Sequence, residues 1–206
     1  NGIANQLGNN FAPLSYDAQA AQGLYAMSTT PRSVNGLREL LSVALQYGNA
    51  FLTGRQAAAL KPADNFANDS ILYLMEDMAT GEIRLSVLWE WLHKKARLTE
   101  TDNRMKLAAG TVITADLVAE LLQQEYHKLF AASDKDVHES SKQTTLPIAR
   151  EIVQAYIFGE TKIPWYIDLL NLNLDHSDLA KAQRRIQRYH STLLQEGVRL
   201  TENLDF

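Results

Sequence analysis

No cysteine occurs among the 206 residues. This excludes a disulfide framework, a thiolate metal site and a cysteine nucleophile, and it fits a reducing compartment. A strong charge of either sign is also lacking. Twenty Lys and Arg stand against 24 Asp and Glu, a net −4, which gives no basis for expecting nucleic acid or an anionic membrane as partner. The most basic cluster, Lys181, Arg184, Arg185 and Arg188, has the spacing of the solvated side of a helix. No uninterrupted apolar run approaches the roughly 20 residues that span a bilayer. The first residues lack the basic start and apolar core of a signal peptide, so the cytoplasm is the expected location.

Other absences narrow the chemistry. No Gly-rich phosphate loop is present. The five histidines (His93, His127, His138, His176 and His190) form no His-x-x-x-His or His-x-x-Glu pair of a zinc site. Asp175-His176-x-Asp178 has a metal-like composition, but it surrounds Ser177 at an expected helix start, where capping is the simpler role. No segment alternates with period two, so no sheet is expected.

What remains is helical. With 46% hydrophobic and 21% charged residues, the composition is that of a globular domain. Residues 1–26 are rich in Asn, Gln, Gly and Ala without sustained periodicity and read as a connector from a preceding domain; 27–206 read as one helical domain. From Ser33 the stripe Leu37, Leu40, Leu41, Ala44, Leu45 and Leu52 predicts a helix ending at Gly54. Gln56 to Asp69 reads as a turn and loop, and Ile71 to about Met78 as a helix capped by Asn68 or Asp69. A break is expected at Thr80-Gly81. A helix from Glu82 to about Arg97 follows, with Ile83, Val87, Leu88, Trp91 and Leu92 inward and basic residues in its last turn. Thr114 and Asp116 open a helix through Leu117, Val118, Leu121, Leu122, Tyr126, Leu129 and Phe130. Pro147 sits near the start of one using Ile148, Ile152, Val153, Tyr156 and Ile157. Pro164 begins a short apolar segment to Leu174. Ser177 caps the last helix, with Leu179, Ala182, Ile186, Tyr189, Leu193 and Leu194 inward and Gly197 beyond its end. The expectation is an all-α fold of about six to eight helices around one core.

One stretch carries chemistry: Leu74-Met75-Glu76-Asp77-Met78-Ala79-Thr80-Gly81-Glu82-Ile83, followed by Leu88-Trp89-Glu90-Trp91. A carboxylate suits removal of a proton next to a carbonyl, because burial raises its pKa toward the working pH. Asp77 follows the apolar Ile71–Met75, whose side chains would limit its hydration. Glu76, one position earlier, points about 100° away on a helix and cannot share the role. The alternative from local pattern alone is that both are ordinary polar residues near a helix end. Trp89 and Trp91 lie about 200° apart on a helix, which burial in the core and in a domain contact explains more simply than a ligand pocket.

The stretch resembles the signature of malate synthases, Met-Glu-Asp-Ala-Ala-Thr-Ala-Glu-Ile-Ser-Arg and then Trp-x-Trp. The likeness extends in order from about Asn5 to Phe130. It includes Asn5-Gln6, Ser15 to Ala20, Gly36-Leu37-Arg38-Glu39, Gln46-Tyr47, Phe51-Leu52-x-Gly54 and Val112-Ile113-Thr114-x-x-Leu117. It implies the C-terminal helical domain of such an enzyme, with Asp77 as the base that removes a methyl proton from acetyl-CoA. The enolate then attacks glyoxylate, and thioester hydrolysis gives malate and CoA. It further implies that the glyoxylate-holding Mg²⁺, its ligands and the enolate-stabilising Arg belong to a β/α barrel outside this chain. The barrel would then be the partner domain, with the helical domain closing over its mouth. No metal or cofactor is expected on this chain alone, and the isolated chain is expected to be inactive.

Contacts to the CoA phosphates would come from scattered basic residues such as Arg55 and Lys61. Apolar surface turned toward the barrel would be exposed in the isolated domain and favour self-association. Three departures stand out. Met78 replaces Ala beside the base, Arg84 is shifted by one position from the family's Arg, and the 56–69 loop is longer. They motivate the alternative of a malate-synthase-like module that has become a non-catalytic interaction domain.

Overall fold

A computed structural model of the protein describes residues 31–55, 79–131, 144–174 and 178–202. Its first helix, α1 (Val34–Ala50), begins where the Ser33 hydroxyl accepts from the Gly36 N–H at 3.0 Å, an N-cap. Nearly every residue of α1 is buried, the pattern of a helix enclosed by others rather than lying on a surface. It passes into a wide π-type turn, Phe51–Arg55, in which Gly54 takes φ 90°. That left-handed conformation suits glycine and ends the helix at the expected position.

Among the described residues five further helices follow: α2 (Ala79–His93), α3 (Ala115–Ala131), α4 (Thr145–Phe158), α5 (Tyr166–Leu172) and α6 (Leu179–Glu202). Helices α2, α3 and α4 lie against α1, while α6 packs on α4 and α5. Between α2 and α3 the chain forms two isolated antiparallel bridges, Arg97 with Val112 and Asp102 with Leu107. No strand occurs among the described residues, and the fold is all-α as expected. The helices expected from Pro147 and Pro164 both form, with Ile148, Ile152, Val153, Tyr156 and Ile157 buried along α4.

Several expectations are corrected. Thr80-Gly81 does not interrupt α2; the helix runs through both and ends at His93, so Lys94, Lys95 and Arg97 lie beyond it. Its deepest face is Gly81, Arg84, Leu85 and Leu88, whereas Ile83, Val87, Trp91 and Leu92 are only half-buried. Apolar residues are scattered around this helix, so periodicity misplaced its inner face by part of a turn. Phe130 is exposed on α3, and Glu125 is buried in its place because its carboxylate meets Arg38 at 2.7 Å and Lys128 at 2.8 Å. The last helix does not stop at Gly197 but continues to Glu202, and Leu194 is exposed. Its start is capped by Asp178, whose carboxylate accepts from the Ala180 and Lys181 N–H groups at 2.9 and 3.2 Å. Ser177, the residue expected to cap it, lies outside the described residues, as do 1–30 and 56–78.

Gly48 is the tightest approach in the core. A Cβ there would stand 2.0 Å from the Tyr166 hydroxyl oxygen, which itself donates to the Ala44 carbonyl at 3.2 Å. Gly to Ala inside a helix ordinarily stabilises by about 1 kcal/mol. Here the sign reverses: Gly48→Ala is expected to lower stability by roughly 1–3 kcal/mol. Urea unfolding checks this, and a Tyr166→Phe background, which removes the clashing oxygen, should recover part of the loss.

Candidate functional site

Asp77, the candidate base, and its neighbours Glu76 and Met78 lie outside the described residues, as does Lys61. What the structure shows is the turn of helix that follows them. The described part of helix α2 begins at Ala79, two positions after Asp77 in the sequence, and its first described turn is fixed on two sides. Gly81 faces α1 and α5 so closely that a Cβ would lie 3.3 Å from the Tyr47 Cβ and 3.7 Å from the Tyr166 ring. Glu82 turns to α5, where one carboxylate oxygen accepts from the Tyr166 N–H and the other from the Ile167 N–H, both at 2.8 Å.

Helix α5 explains why Glu82 is used in this way. Its N-cap is Trp165, which has no side-chain oxygen to satisfy the first N–H groups. The cap is instead supplied from 84 residues away, with a negative charge at the positive end of a helix. Sequence reasoning missed this role for Glu82. The signal available was the Pro164-Trp165 entry to a helix with no capping residue of its own.

The electrostatics around this turn are those of a dry, structured place. Burial pushes the Glu82 carboxyl above the usual carboxylate range, with the two N–H donors opposing and Asp168 adding to the rise. Burial likewise raises the Glu39 carboxyl and lowers the Arg84 guanidinium, each opposed by the other's charge across a 3.4 Å contact. Arg84 is therefore committed inward to α1. Burial pushes Tyr156 up to about 12 and raises Tyr166 further, so neither phenol serves as a proton carrier near neutrality. The two tryptophans are half-buried rather than core residues. Trp89 stacks on His93 with ring centroids 4.0 Å apart and donates from Nε1 to the Gly159 carbonyl at 3.0 Å.

Among the described residues no three His, Asp or Glu side chains converge as a metal site. Among the described residues, two acidic groups beside the start of α2 are already taken, Glu39 by Arg84 and Glu82 by backbone N–H groups. These residues do not fit Mg²⁺. Among the described residues no helix is long and apolar enough to cross a membrane.

Comparison with known proteins gives the context. The family model described as "Malate synthase, C-terminal" matches residues 31–158. The "Bifunctional glyoxylate cycle protein" of Caenorhabditis elegans is 27% identical over 129 residues, covering 63% of this chain and 11% of that protein. The "Malate synthase, glyoxysomal" of Candida tropicalis is 33% identical over 94 residues, covering 46% of this chain and 13% of the relative. The chain thus matches only 11% and 13% of the lengths of these two relatives. No solved structure matches it.

The raised Glu82 carboxyl has a definite consequence for stability. A carboxyl whose folded pKa exceeds its unfolded value of 4.5 contributes stability that is fully present below that value. The contribution is lost as the pH rises through the folded pKa. The stability advantage of the wild-type chain over Glu82→Gln is therefore expected to grow as the pH falls from 7 toward 5. Urea midpoints of the two proteins at both pH values measure this, and the same comparison cancels other titrating groups such as His190.

Proposed function

The chain belongs to the malate synthase C-terminal domain family, and from that premise we propose that it supplies the general base for condensation of acetyl-CoA with glyoxylate. The base is Asp77. Its carboxylate takes a proton from the acetyl methyl group, and the enolate carbon forms a bond to the aldehyde carbon of glyoxylate, whose oxygen gains a proton. Water then cleaves the thioester, releasing malate and CoA. The observation that supports this reading is a family match over residues 31–158, a span that includes the Met75-Glu76-Asp77 segment and reaches the end of α4.

The remaining parts of such a site would come from a barrel domain outside this chain. Mg²⁺ held there would bind and polarise glyoxylate, and an Arg there would stabilise the enolate. What this chain contributes besides the base is its support, the first turn of α2 packed on α1 and α5. Beside that turn stands Trp165, adjacent to the Tyr166 N–H held by Glu82 and 60% exposed. The partner we propose for this domain is the barrel. The proposed location is the cytoplasm; the Candida tropicalis relative is named for the glyoxysome, which makes an organelle the competing assignment.

Release of CoA thiol from acetyl-CoA and glyoxylate tests the reading. In the polypeptide joining this chain to its barrel, Asp77→Asn is expected to lower turnover by roughly 10²–10⁴-fold, while this chain alone releases none. An unaffected rate in Asp77→Asn would overturn the assignment. A joined polypeptide with no activity at all would favour the non-catalytic interaction module, to which Met78 and the inward commitment of Arg84 already lend support.

A further inference from the structure

Between the second half of α4 and the middle of α6 lies a cleft of about 620 Å³, a size that takes a small organic ligand. Ala155, Phe158 and Ile186 give it apolar lining, and Glu151, Gln183 and Gln187 supply polar groups. His190 lines it beside Gly159, where a Cβ would stand 2.7 Å from the imidazole Cε1. Glycine at 159 is what lets the ring in.

The electrostatics of this cleft have one sign. Among the described residues that line it, Glu151 alone carries a full charge. Its carboxylate has no ion-pair partner among the described residues. Arg150, the next cation along the chain, instead lies 5.1 Å over the Tyr126 ring of α3. Helix α4 ends at the cleft with no basic residue in its last turn, so nothing there offsets the negative end of its dipole. Lys162, which follows, is committed to Glu90 at 3.1 Å. His190 adds no positive charge either. An imidazolium must donate from both nitrogens, yet Nε2 is shut from solvent and meets no hydrogen-bond partner. Burial accordingly holds the ring's pKa below the usual histidine value.

We propose that the cleft between α4 and α6 binds a primary ammonium carried on a short apolar stem. The Glu151 carboxylate takes the charge, the Gln183 and Gln187 amide oxygens accept further N–H groups, and the stem lies on Phe158 and Ile186. An ammonium has three donors and no acceptor, which suits a cleft that offers a carboxylate and neutral amides. An anion would meet no Lys or Arg among the lining residues. Such an ammonium belongs either to a free amine or to a lysine side chain of another protein. The proposal does not depend on the reading of Asp77 as base.

The test titrates hexylammonium into the full chain, isotope-labelled for NMR, at constant ionic strength. The Trp89 indole N–H is the reporter, because it donates to the carbonyl of Gly159 in the cleft wall. A saturable shift is expected, with hexanol and hexanoate binding at least about ten-fold more weakly. Glu151→Gln removes the charge and keeps the shape, and is expected to weaken hexylammonium about ten-fold. If that variant does not fold by circular dichroism, Gln187→Lys carries the comparison, since a cation on the exposed rim competes with the ligand and weakens it likewise. Nα-acetyl-lysine amide separates the two sources: tighter binding than hexylammonium assigns the cleft to a protein side chain, weaker binding to a free amine. The proposal is overturned by no shift with hexylammonium, by hexanol or hexanoate binding as tightly, or by unchanged affinity in the folded variant.

Discussion

A helix buried along most of its length tolerates few polar groups without a partner, and α1 imposes that requirement on the rest of the domain. Burial of an unpaired donor or acceptor costs about 1–3 kcal/mol, and more for a charge. Each of four neighbouring helices answers one polar feature of α1. Arg84 of α2 meets Glu39 at 3.4 Å, and Glu125 of α3 meets Arg38 at 2.7 Å. Thr145 of α4 donates to Asn49 at 2.7 Å, and Tyr166 of α5 donates to the Ala44 carbonyl at 3.2 Å. Within α1 itself, Gln46 donates to Ser42 at 3.0 Å. Apolar packing alone admits several ways of sliding one helix on another, whereas these contacts each work at a single register. A buried ion pair is weak support for stability in itself; its value here is in saying where α2 and α3 must sit.

Function enters through α2. That helix is held to α1 by Arg84 and the Gly81 contact, and to α5 by Glu82. The first described turn of this helix, which follows the Met75-Glu76-Asp77 run in sequence, is thus held by two neighbouring helices. A carboxylate that must reach a bound thioester benefits from a rigid support more than from a particular pKa. Among the described residues, the acids and phenols beside this turn are already committed. Glu39 and Glu82 are engaged, and Tyr156 and Tyr166 are held in their neutral forms by burial.

The helices were legible in the sequence wherever apolar residues kept to one face. Leu37, Leu40, Leu41 and Leu45 marked α1, Leu117, Val118, Leu121, Leu122 and Leu129 marked α3, and Ile148, Ile152, Val153, Tyr156 and Ile157 marked α4, all of them buried, whereas Tyr126 on the same stripe of α3 is half-buried. The pattern failed on α2 because its apolar residues occur on every side, and Arg84 rather than Ile83 faces inward. It also failed at Gly197, where the low helix propensity of one glycine was too weak a signal to end a long helix. Long-range polar contacts were not legible at all: nothing local in Glu82 or Glu125 announces a partner more than 80 residues away. The candidate base came from family likeness alone, since two adjacent carboxylates near a helix end are commonplace in any globular chain.

The account depends on this domain working against a barrel, so the size of the native polypeptide is the most direct thing to measure. An antibody against the helical domain, used on an extract of the source cells, reads it in one blot. A band far above 23.1 kDa is the expected result and would mean that further domains are attached for Asp77 to serve. A band at 23.1 kDa itself would contradict the account, leaving a free-standing domain without a barrel of its own.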